Sequence, residues 1–381
     1  MRLSATTTRA DKRAKIRPFM LWQRFLQWRV HHPKLELALF FGAGFLFDIV
    51  TLDRIDSALT LIQQAVYLAL LAAALLLEQR AVLKGWQPPR FLAGVWRFQE
   101  DIVHFVFGSL LSGYALFYLK SASDFSALAF MAVLFALLLA NELPRFRRLG
   151  PVVRFALLSI CITTYFAYLG PVLYGGLSAW LFVSAVAVAA VPLYFLYGRV
   201  RNWAPAREIA VRHVGIPLLA SQLLLVVLYF TGAIPPVPLA VEELSIYHDV
   251  QRTPEGRYRL LHLRPAWRIW AKGEADFQAR PGDKVFCFVR VFAPTRFRES
   301  VQIRFFKDEG TRGWVAQDAI PLTIVGGRDD GFRGYAHKAN YAAGKWRVQV
   351  QTQDGRSLAY KTFHILDDAN VEPRLFQEEW G

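Results

Sequence analysis

Aromatic side chains accompany cationic ones in the last third of the chain, where together they could hold a ligand without performing catalysis. The candidate residues for ligand or partner binding are Trp267, Trp270, Arg328, Arg333, Tyr335 and Lys338. A ring beside a cation suits a sugar, a lipid headgroup or a peptide strand, and a guanidinium group recognises anionic oxygens with several donors. The simpler interpretation is that the arginines around the turn at 326–331 are solvated and pair with Asp329 and Asp330. The pattern therefore predicts a binding surface, but it does not specify which of these six residues belong to it.

A second group of polar residues lies where the chain first becomes apolar. This candidate membrane site consists of Asp48, Asp53, Arg54, Asp56, Gln63 and Gln64. A carboxylate at the centre of a membrane helix costs roughly 2.5–3.5 kcal/mol, so Asp48 needs a compensating partner. The group is either a polar site that opens outward or a structural knot that holds the first two membrane helices together.

The sequence contains no recognisable catalytic or metal-binding motif. The histidines of the last third, at 248, 262, 337 and 364, have neither HExxH nor paired metal-ligand spacing, and no serine lies in a nucleophile elbow. The Gly- and Asp-rich segment 326–331 lacks the spaced ligands of a twelve-residue calcium loop. We therefore expect no cofactor and no metal. Catalysis is not predicted, although residues distant in sequence could still assemble a site for it.

Basic segments alternate with apolar runs over the first 240 residues. Of the 23 Lys and Arg residues there, 21 fall in four segments, and only Arg54 and Lys120 lie elsewhere. Apolar runs near 20 residues are long enough to cross about 30 Å of hydrocarbon. The pattern predicts about seven transmembrane helices, at 37–53, 57–78, 100–119, 122–142, 152–172, 176–197 and 214–232.

The same alternation predicts the orientation of the chain. Cytoplasmic loops retain Lys and Arg, whereas short translocated loops lack them, so the four basic segments and the N-terminus are expected in the cytoplasm. Because seven is odd, the C-terminal domain is expected on the other side, which is the periplasm if the source is a Gram-negative bacterium. The expected location is a bacterial inner membrane, with membrane lipids as immediate partners. Most of the net charge of +15 follows from this topology, so nucleic-acid binding is not expected.

The domain boundaries follow from changes in composition. Residues 1–36 form a basic cytoplasmic segment, either a helix on the membrane surface or a plain leader, and 37–233 form the transmembrane domain. Residues 234–241 are a linker in which Pro235, Pro236 and Pro238 prevent the helix from continuing. A β-domain is expected at 242–366, and 367–381 are an acidic tail that we expect to be loosely ordered.

Short alternating runs predict strands in the β-domain. Trp346, Val348 and Val350 fall on one face of such a run and Arg347, Gln349 and Gln351 on the other, so one face is expected to be buried and the other wet. Seven or eight strands in about 125 residues, separated by Gly- and Asp-rich turns, predict an all-β, immunoglobulin-like antiparallel sandwich. A barrel remains an alternative.

Several short motifs carry a family resemblance. They are Gly44-Phe45 with Asp48, Leu52-Asp53-Arg54-Ile55-Asp56, Ile234-Pro235-Pro236-Val237-Pro238-Leu239, Arg264-Pro265-Ala266-Trp267, Gly282-Asp283-Lys284-Val285, Ala293-Pro294, Gly326-Gly327-Arg328, Gly331-Phe332-Arg333 and Gly344-Lys345-Trp346-Arg347-Val348. With these motifs the chain resembles an uncharacterised bacterial family of polytopic inner-membrane proteins with a C-terminal domain of unknown function. Many relatives carry His and Trp near Ile303 and Phe305, so no ligand role is expected for that pair here. The resemblance implies the architecture and no activity.

Three functional hypotheses follow. In the leading one, the helices anchor and orient a periplasmic β-sandwich that binds an envelope component, such as a glycan or lipid headgroup, or a partner protein, without catalysis. In the second, the bundle is a small transporter, channel or membrane enzyme with a regulatory periplasmic domain. In the third, the protein is a scaffold of an envelope complex.

Overall fold

The computed structural model describes residues 55–121, 132, 133, 136, 150–235, 237–265, 267, 268, 271–295, 297–326, 331–370 and 372–381. All of these residues belong to one compact unit, Asp53–Gly381. The predicted N-terminal segment and first span, and nearly all of the predicted fourth span, lie outside the described residues.

Five helices in the described part are long and apolar enough to cross a membrane. The helical elements are α1 Ala58–Lys84, the short α2 Ala93–Trp96, α3 Gln99–Ser121, α4 Pro151–Tyr174, α5 Ala179–Trp203, α6 Arg207–Ala210, a π-helical turn Val211–Gly215, and α7 Ile216–Phe230. The last three run together as one apolar helix from Arg207 to Phe230. These five helices correspond to the second, third, fifth, sixth and seventh predicted spans, so the prediction of a membrane-type helical region is confirmed.

Local sequence explains where these helices begin and end. Gly85 and Gly175, with φ of 63° and 86°, end α1 and α4 in the left-handed conformation that closes the last turn. Pro151 opens α4, at a position where its missing N–H costs no helical hydrogen bond.

Helix α4 is the centre of the helical part, because it contacts α1, α3, α5 and α7. The hydroxyl of Tyr168 donates to Gln64, and that of Tyr165 donates to the Leu61 carbonyl of α1 at 3.2 Å. Toward α7, Ser159 Oγ donates to the Leu218 carbonyl at 3.1 Å. Side-chain donors of α4 therefore bind both α1 and α7.

Helices α3 and α4 run parallel to each other. At one end Arg154 of α4 hydrogen-bonds Glu78 of α1 and lies 3.9 Å from Glu100 of α3. Toward the other end the ring centroids of Phe117 and Tyr168 are 5.8 Å apart. Both helices thus begin on the same side of the bundle.

The C-terminal region consists of eleven described strands. They are β1 Ala240–Tyr247, β2 Asp249–Arg252, β3 Tyr258–His262, β4 Asp276–Ala279, β5 Val285–Phe292, β6 Arg298–Asp308, β7 Trp314–Val325, β8 Phe332–Lys338, β9 Gly344–Thr352, β10 Ser357–Asp367 and β11 Gln377–Trp380. One sheet has the order β4-β10-β9-β6-β7, a second β1-β5-β8, and a third β11-β3-β2.

The first two sheets form a sandwich around one hydrophobic core. Inward residues of β9, including Trp346, Val348 and Val350, meet Cys287 and Val289 of β5 in this core. The third sheet packs on the other side of β5, where Leu260 and Phe288 belong to a smaller cluster. The predicted all-β sandwich is therefore confirmed, with the small sheet added to it. The pairing of β4 with β10 is parallel, in contrast to the antiparallel pairs around it.

The acidic tail is more ordered than we expected. Strand β11 pairs antiparallel with β3, and Arg374 donates to Asp283 at 2.6 Å and to Asp368 at 3.2 Å. The expectation of a loose tail fails because Gln377–Trp380 pair with a free edge of β3, and because Arg374 ties the preceding segment to the sandwich.

Deletion of residues 377–381 should expose this edge of β3. We expect amide hydrogens of Tyr258–His262 to exchange faster in the deletion variant, because β11 protects their side of the sheet. The matched control is Glu378→Ala, which removes only a surface ion pair with Arg259 and should leave exchange close to that of the unaltered chain. Equal exchange in the deletion variant and the unaltered chain would show that the tail is loose after all.

Candidate functional site

The outer face of the five-stranded sheet carries a cluster of rings and cations. Strand β9 alternates, so that Lys345, Arg347 and Gln349 lie on the side opposite the core residues Trp346 and Val348. We define the aromatic–cationic face by the residues of four neighbouring strands that lie on this side: Arg304, Phe306, Trp314, Lys345, Arg347 and Tyr360.

Arg347 lies at the centre of this face between two rings. Its guanidinium carbon is 4.1 Å from the ring centroid of Trp314 and 5.0 Å from that of Tyr360. The register explains the arrangement, because Arg347 pairs with Phe306 of β6 on one side and with Thr362 of β10 on the other. Side chains on adjacent strands at such positions lie close enough to contact each other.

Other cations surround this stack. Lys345 Nζ lies 5.5 Å from the ring centroid of Trp314, and the guanidinium carbon of Arg304 lies 5.6 Å from that of Phe306. The Tyr360 side chain is 46% exposed, so its ring is accessible from solvent. The face therefore offers an open ring beside three cations.

Two of these cations have no anionic partner in the described part of the chain. No described carboxylate hydrogen-bonds or pairs with Arg304 or Arg347, and the Nε atoms of both are buried without a hydrogen-bond acceptor. Lys345 differs, since its Nζ lies 3.8 Å from Asp308. A buried guanidinium donor without an acceptor costs free energy, so the face is prepared to accept an anionic group from outside.

The position of this face follows from contacts between sandwich and helices. The Arg298 amide at the start of β6 donates to the Gly175 carbonyl at 2.8 Å, and the Arg356 guanidinium carbon lies 4.9 Å from the ring centroid of Tyr229. One end of β6 and the β9–β10 turn therefore contact the helical part. Strands rise about 3.3 Å per residue, which places Phe306, and with it its register partner Arg347, roughly 26 Å from Arg298.

A second polar cluster lies inside the domain, between β1, β3 and β11. The Tyr247 hydroxyl donates to Glu243 at 3.1 Å and to Glu379 at 3.4 Å, and Lys272 Nζ donates to Glu243 at 2.8 Å. Burial, followed by the two carboxylates, raises the pKa of Tyr247 far above its ordinary value. The cluster holds β11 in place and offers no reactive group.

A histidine–glutamate pair adjoins this cluster. His248 Nδ1 lies 2.9 Å from Glu274 Oε1, its Nε2 lies 3.1 Å from the Gln278 carbonyl, and the Leu263 amide donates to Glu274 at 2.6 Å. Among the described residues no group of His, Cys, Asp or Glu is arranged to hold a metal ion. These contacts stabilise the loop that leads from β3 to β4.

The binding residues predicted from sequence are not brought to one surface. Arg333 and Tyr335 lie on the outer face of β8, where Tyr335 is 39% exposed. Lys338 lies on the opposite, core-facing side of the same strand and donates to Asp318. Trp267 is 63% exposed in the β3–β4 loop and carries the Arg268 guanidinium 5.0 Å from its ring centroid. Trp270 and Arg328 lie outside the described residues.

The predicted membrane site likewise separates into different contacts. Asp48, Asp53 and Arg54 lie outside the described residues. Asp56 accepts hydrogen bonds from the amide and hydroxyl of Thr295 in the sandwich, both at 3.1 Å. Gln63 is exposed and donates to Tyr67 at 3.2 Å, whereas its neighbour Gln64 is buried and accepts from Tyr168. The three described members thus contact three different parts of the molecule, namely the sandwich, the same helix and α4.

The predicted site did not include Arg347, although the alternation of strand β9 in the sequence gave a signal for it. The alternation of β9 predicted that Arg347 and Gln349 would face solvent, and the structure confirms this placement relative to Trp346. Trp314 and Tyr360 join Arg347 only through pairing of β9 with β6 and β10 and of β6 with β7. Strand order is not encoded in the spacing of one strand.

Comparison with known proteins places the face within a recognised region. Residues 299–365 match the model of a family described as a protein of unknown function, DUF2914. The C-terminal region matches a domain of unknown function. The matched segment contains all six residues of the aromatic–cationic face. No curated protein matches the chain.

Two solved structures are similar to parts of the chain. An immunoglobulin-like protein from Pseudomonas aeruginosa is 13% identical, with a TM-score of 0.19, and the match covers 32% of this chain and 97% of that one. An alkylpurine DNA glycosylase from Pseudomonas fluorescens, bound to DNA containing an abasic-site analogue, is 12% identical, with a TM-score of 0.22 and coverage of 82% and 100%. At these TM-scores neither likeness carries an argument about fold or function.

The polar cluster generates a testable pH dependence. Burial, and after it the Arg264 guanidinium, lowers the pKa of His262 below its ordinary value. The folded state therefore favours the neutral ring, and this contribution to stability is present above about pH 6.5 and is lost as the pH falls through the lower folded pKa. We expect thermal stability of the full chain to fall between pH 7.5 and 5.5, and His262→Gln to reduce that slope.

The matched control for His262 is His364→Gln, which makes the same replacement at a half-exposed histidine outside the buried cluster. Melting temperatures followed by differential scanning calorimetry across this range would measure both variants. An unchanged slope in His262→Gln would contradict the assignment.

Proposed function

We propose that this chain is a bacterial inner-membrane protein whose helices anchor and orient a periplasmic β-sandwich, and that the aromatic–cationic face of the sandwich binds an anionic envelope glycan. The observation that carries the proposal is the position of Arg347 between Trp314 and Tyr360, without a described carboxylate partner. The proposal involves no catalytic step.

The membrane orientation is supported by charge and by connectivity. Arg80, Lys84, Arg199 and Arg201 lie at the ends of α1 and α5 that are opposite the sandwich, as expected if this side is cytoplasmic. Helices α3 and α4 both begin on that side, and α3 ends at Ser121 on the opposite one. The positions of these described ends support the predicted span at 122–142, of which only residues 132, 133 and 136 are described.

Contacts between the two parts support an orienting role for the helices. Thr295, Arg298 and Arg356 of the sandwich contact Asp56, Gly175 and Tyr229 at one end of the helical region. These three contacts are distributed over α1, α4 and α7. A domain held at three separated points is fixed in direction as well as in position.

The height of the face favours a glycan over a lipid headgroup. Arg347 and its register partner Phe306 both lie roughly 26 Å along the strands from Arg298, which contacts the helices, and this is beyond the reach of headgroups in the adjacent leaflet. A polymer that extends through the periplasm can reach this height.

The chemistry of the face supports an anionic sugar. The Arg347 guanidinium is stacked on rings and keeps N–H groups for carboxylate or phosphate oxygens. The exposed Tyr360 ring can contact the C–H face of a sugar, whose hydrogens carry partial positive charge. Gln349 and Thr362 lie on the same side of β9 and β10 and add hydrogen-bonding groups that suit sugar hydroxyls.

Binding can be tested with the full chain in nanodiscs and a defined uronic acid oligosaccharide, with its methyl ester as the uncharged probe. We expect the acid form to bind and the ester to bind at least tenfold more weakly, because charge-assisted hydrogen bonds to Arg347 are lost. Arg347→Met should weaken binding of the acid by roughly tenfold or more, measured by isothermal titration calorimetry.

The matched control is Arg333→Met, on the outer face of the other sheet. It should bind the acid as the unaltered chain does. Loss of binding in Arg333→Met but not in Arg347→Met would move the site to the surface predicted from sequence. Equal affinity for the acid and its ester would refute recognition of an anionic glycan.

Sidedness can be tested separately by cysteine labelling. Gln317 is exposed on β7 and Asn202 is exposed near the end of α5, whereas both native cysteines are buried. In spheroplasts of a Gram-negative host, a membrane-impermeant maleimide should label Gln317→Cys and not Asn202→Cys. The opposite pattern would invert the proposed orientation.

A further inference from the structure

A groove runs along the helical part between α1, α4 and α5. Its volume is about 470 Å³. Small side chains of α1, Ala69 and Ala72, leave space between the helices, and apolar residues complete the walls. These include Leu76, Ile162, Phe166 and Phe195. Within hydrocarbon such a groove accommodates an apolar chain.

Cations mark one end of the groove. Arg199 lines it directly, and Arg80 lies one turn beyond the lining residue Leu76 on α1. The guanidinium carbon of Arg80 is 5.9 Å from the ring centroid of Trp203, which lies one turn beyond Arg199 on α5. The two arginines therefore meet at the same end of the groove.

These arginines have no anionic partner in the described part of the chain. No described carboxylate pairs with Arg80 or Arg199, and nearby Glu78 is bound to Arg154. Arg80 also lies 6.0 Å from the ring centroid of Trp86. The end of the groove thus presents two cations and two indole rings.

The depth of this end matches that of lipid headgroups. Arg199 lies 20 residues from Ala179 at the start of α5, or about 30 Å along the helix, which equals the hydrocarbon thickness. Tryptophan rings are typical of the same depth. The apolar groove therefore ends where the phosphates of one leaflet lie.

We propose that this groove binds one anionic phospholipid, with an acyl chain against Ala69 and Ala72 and the phosphate between Arg80 and Arg199. The charge complementarity distinguishes this occupant from a neutral lipid of the surrounding bilayer. In the proposed orientation this phosphate lies in the cytoplasmic leaflet, and that assignment rests on the proposed function. The lipid site itself does not depend on glycan binding at the aromatic–cationic face.

The test uses the full chain in phosphatidylcholine nanodiscs that contain a small fraction of phosphatidylglycerol with a photoactivatable diazirine in its acyl chain. Adducts are mapped by mass spectrometry after illumination. We expect them to concentrate on groove-lining segments of α1, α4 and α5. Each of Arg80→Gln and Arg199→Gln should lower groove labelling about fivefold, because one cation near the membrane surface is lost.

Two further variants separate charge from space. Arg201→Gln removes a cation at the same depth of α5 that does not line the groove, and it should leave labelling unchanged. Ala72→Phe fills the groove while both arginines remain, and it should lower labelling without altering the charge.

The proposal is overturned if a phosphatidylcholine probe labels the groove as strongly, or if adducts spread evenly over all lipid-facing helix sides. It is also overturned if Arg201→Gln lowers labelling as much as Arg199→Gln, or if no groove adducts form, as expected when another segment of the chain fills the space. Cysteine labelling tests the orientation and calorimetry tests glycan binding, so a failure of the lipid proposal can be distinguished from a failure of the proposed function.

Discussion

The polar groups of α4 have to find partners away from water, and the arrangement of the described molecule depends on this constraint. Unsatisfied polar groups are expensive in hydrocarbon, so several buried donors on α4 are stabilised by acceptors on neighbouring helices. Arg154 and Tyr168 bind α1, and Ser159 binds α7. These contacts determine which helices surround α4 and at what height.

Helix α4 also helps to position the sandwich. Helix α4 ends at Gly175, whose carbonyl accepts the Arg298 amide at the start of β6. Strand β6 lies between β9 and β7 in the five-stranded sheet, so its placement also positions Trp314 and Arg347. The contacts of α4 thus connect the aromatic–cationic face to the apolar groove between α1, α4 and α5.

Sequence periodicity was most informative where a single element determines the outcome. Apolar runs predicted five helices that the structure describes, and alternation on β9 predicted the burial of Trp346 and the exposure of its neighbours. It was least informative where two elements have to meet. Lys338 was grouped with Arg333 and Tyr335 although strand alternation places it on the other face, and β11 was not expected because its four residues are stable only against β3.

The division into an apolar helical part and a polar β-part can be read from the amino-acid sequence, because hydrocarbon thickness and strand pleating impose periods on a single chain. The same periodicity places Arg347 on the side of β9 away from the core. The folded molecule was needed to find Trp314 and Tyr360 beside Arg347, and Arg80 and Arg199 at one end of a groove. Both sites join residues from separate strands or helices, and their proximity depends on packing and register, which local periodicity does not specify.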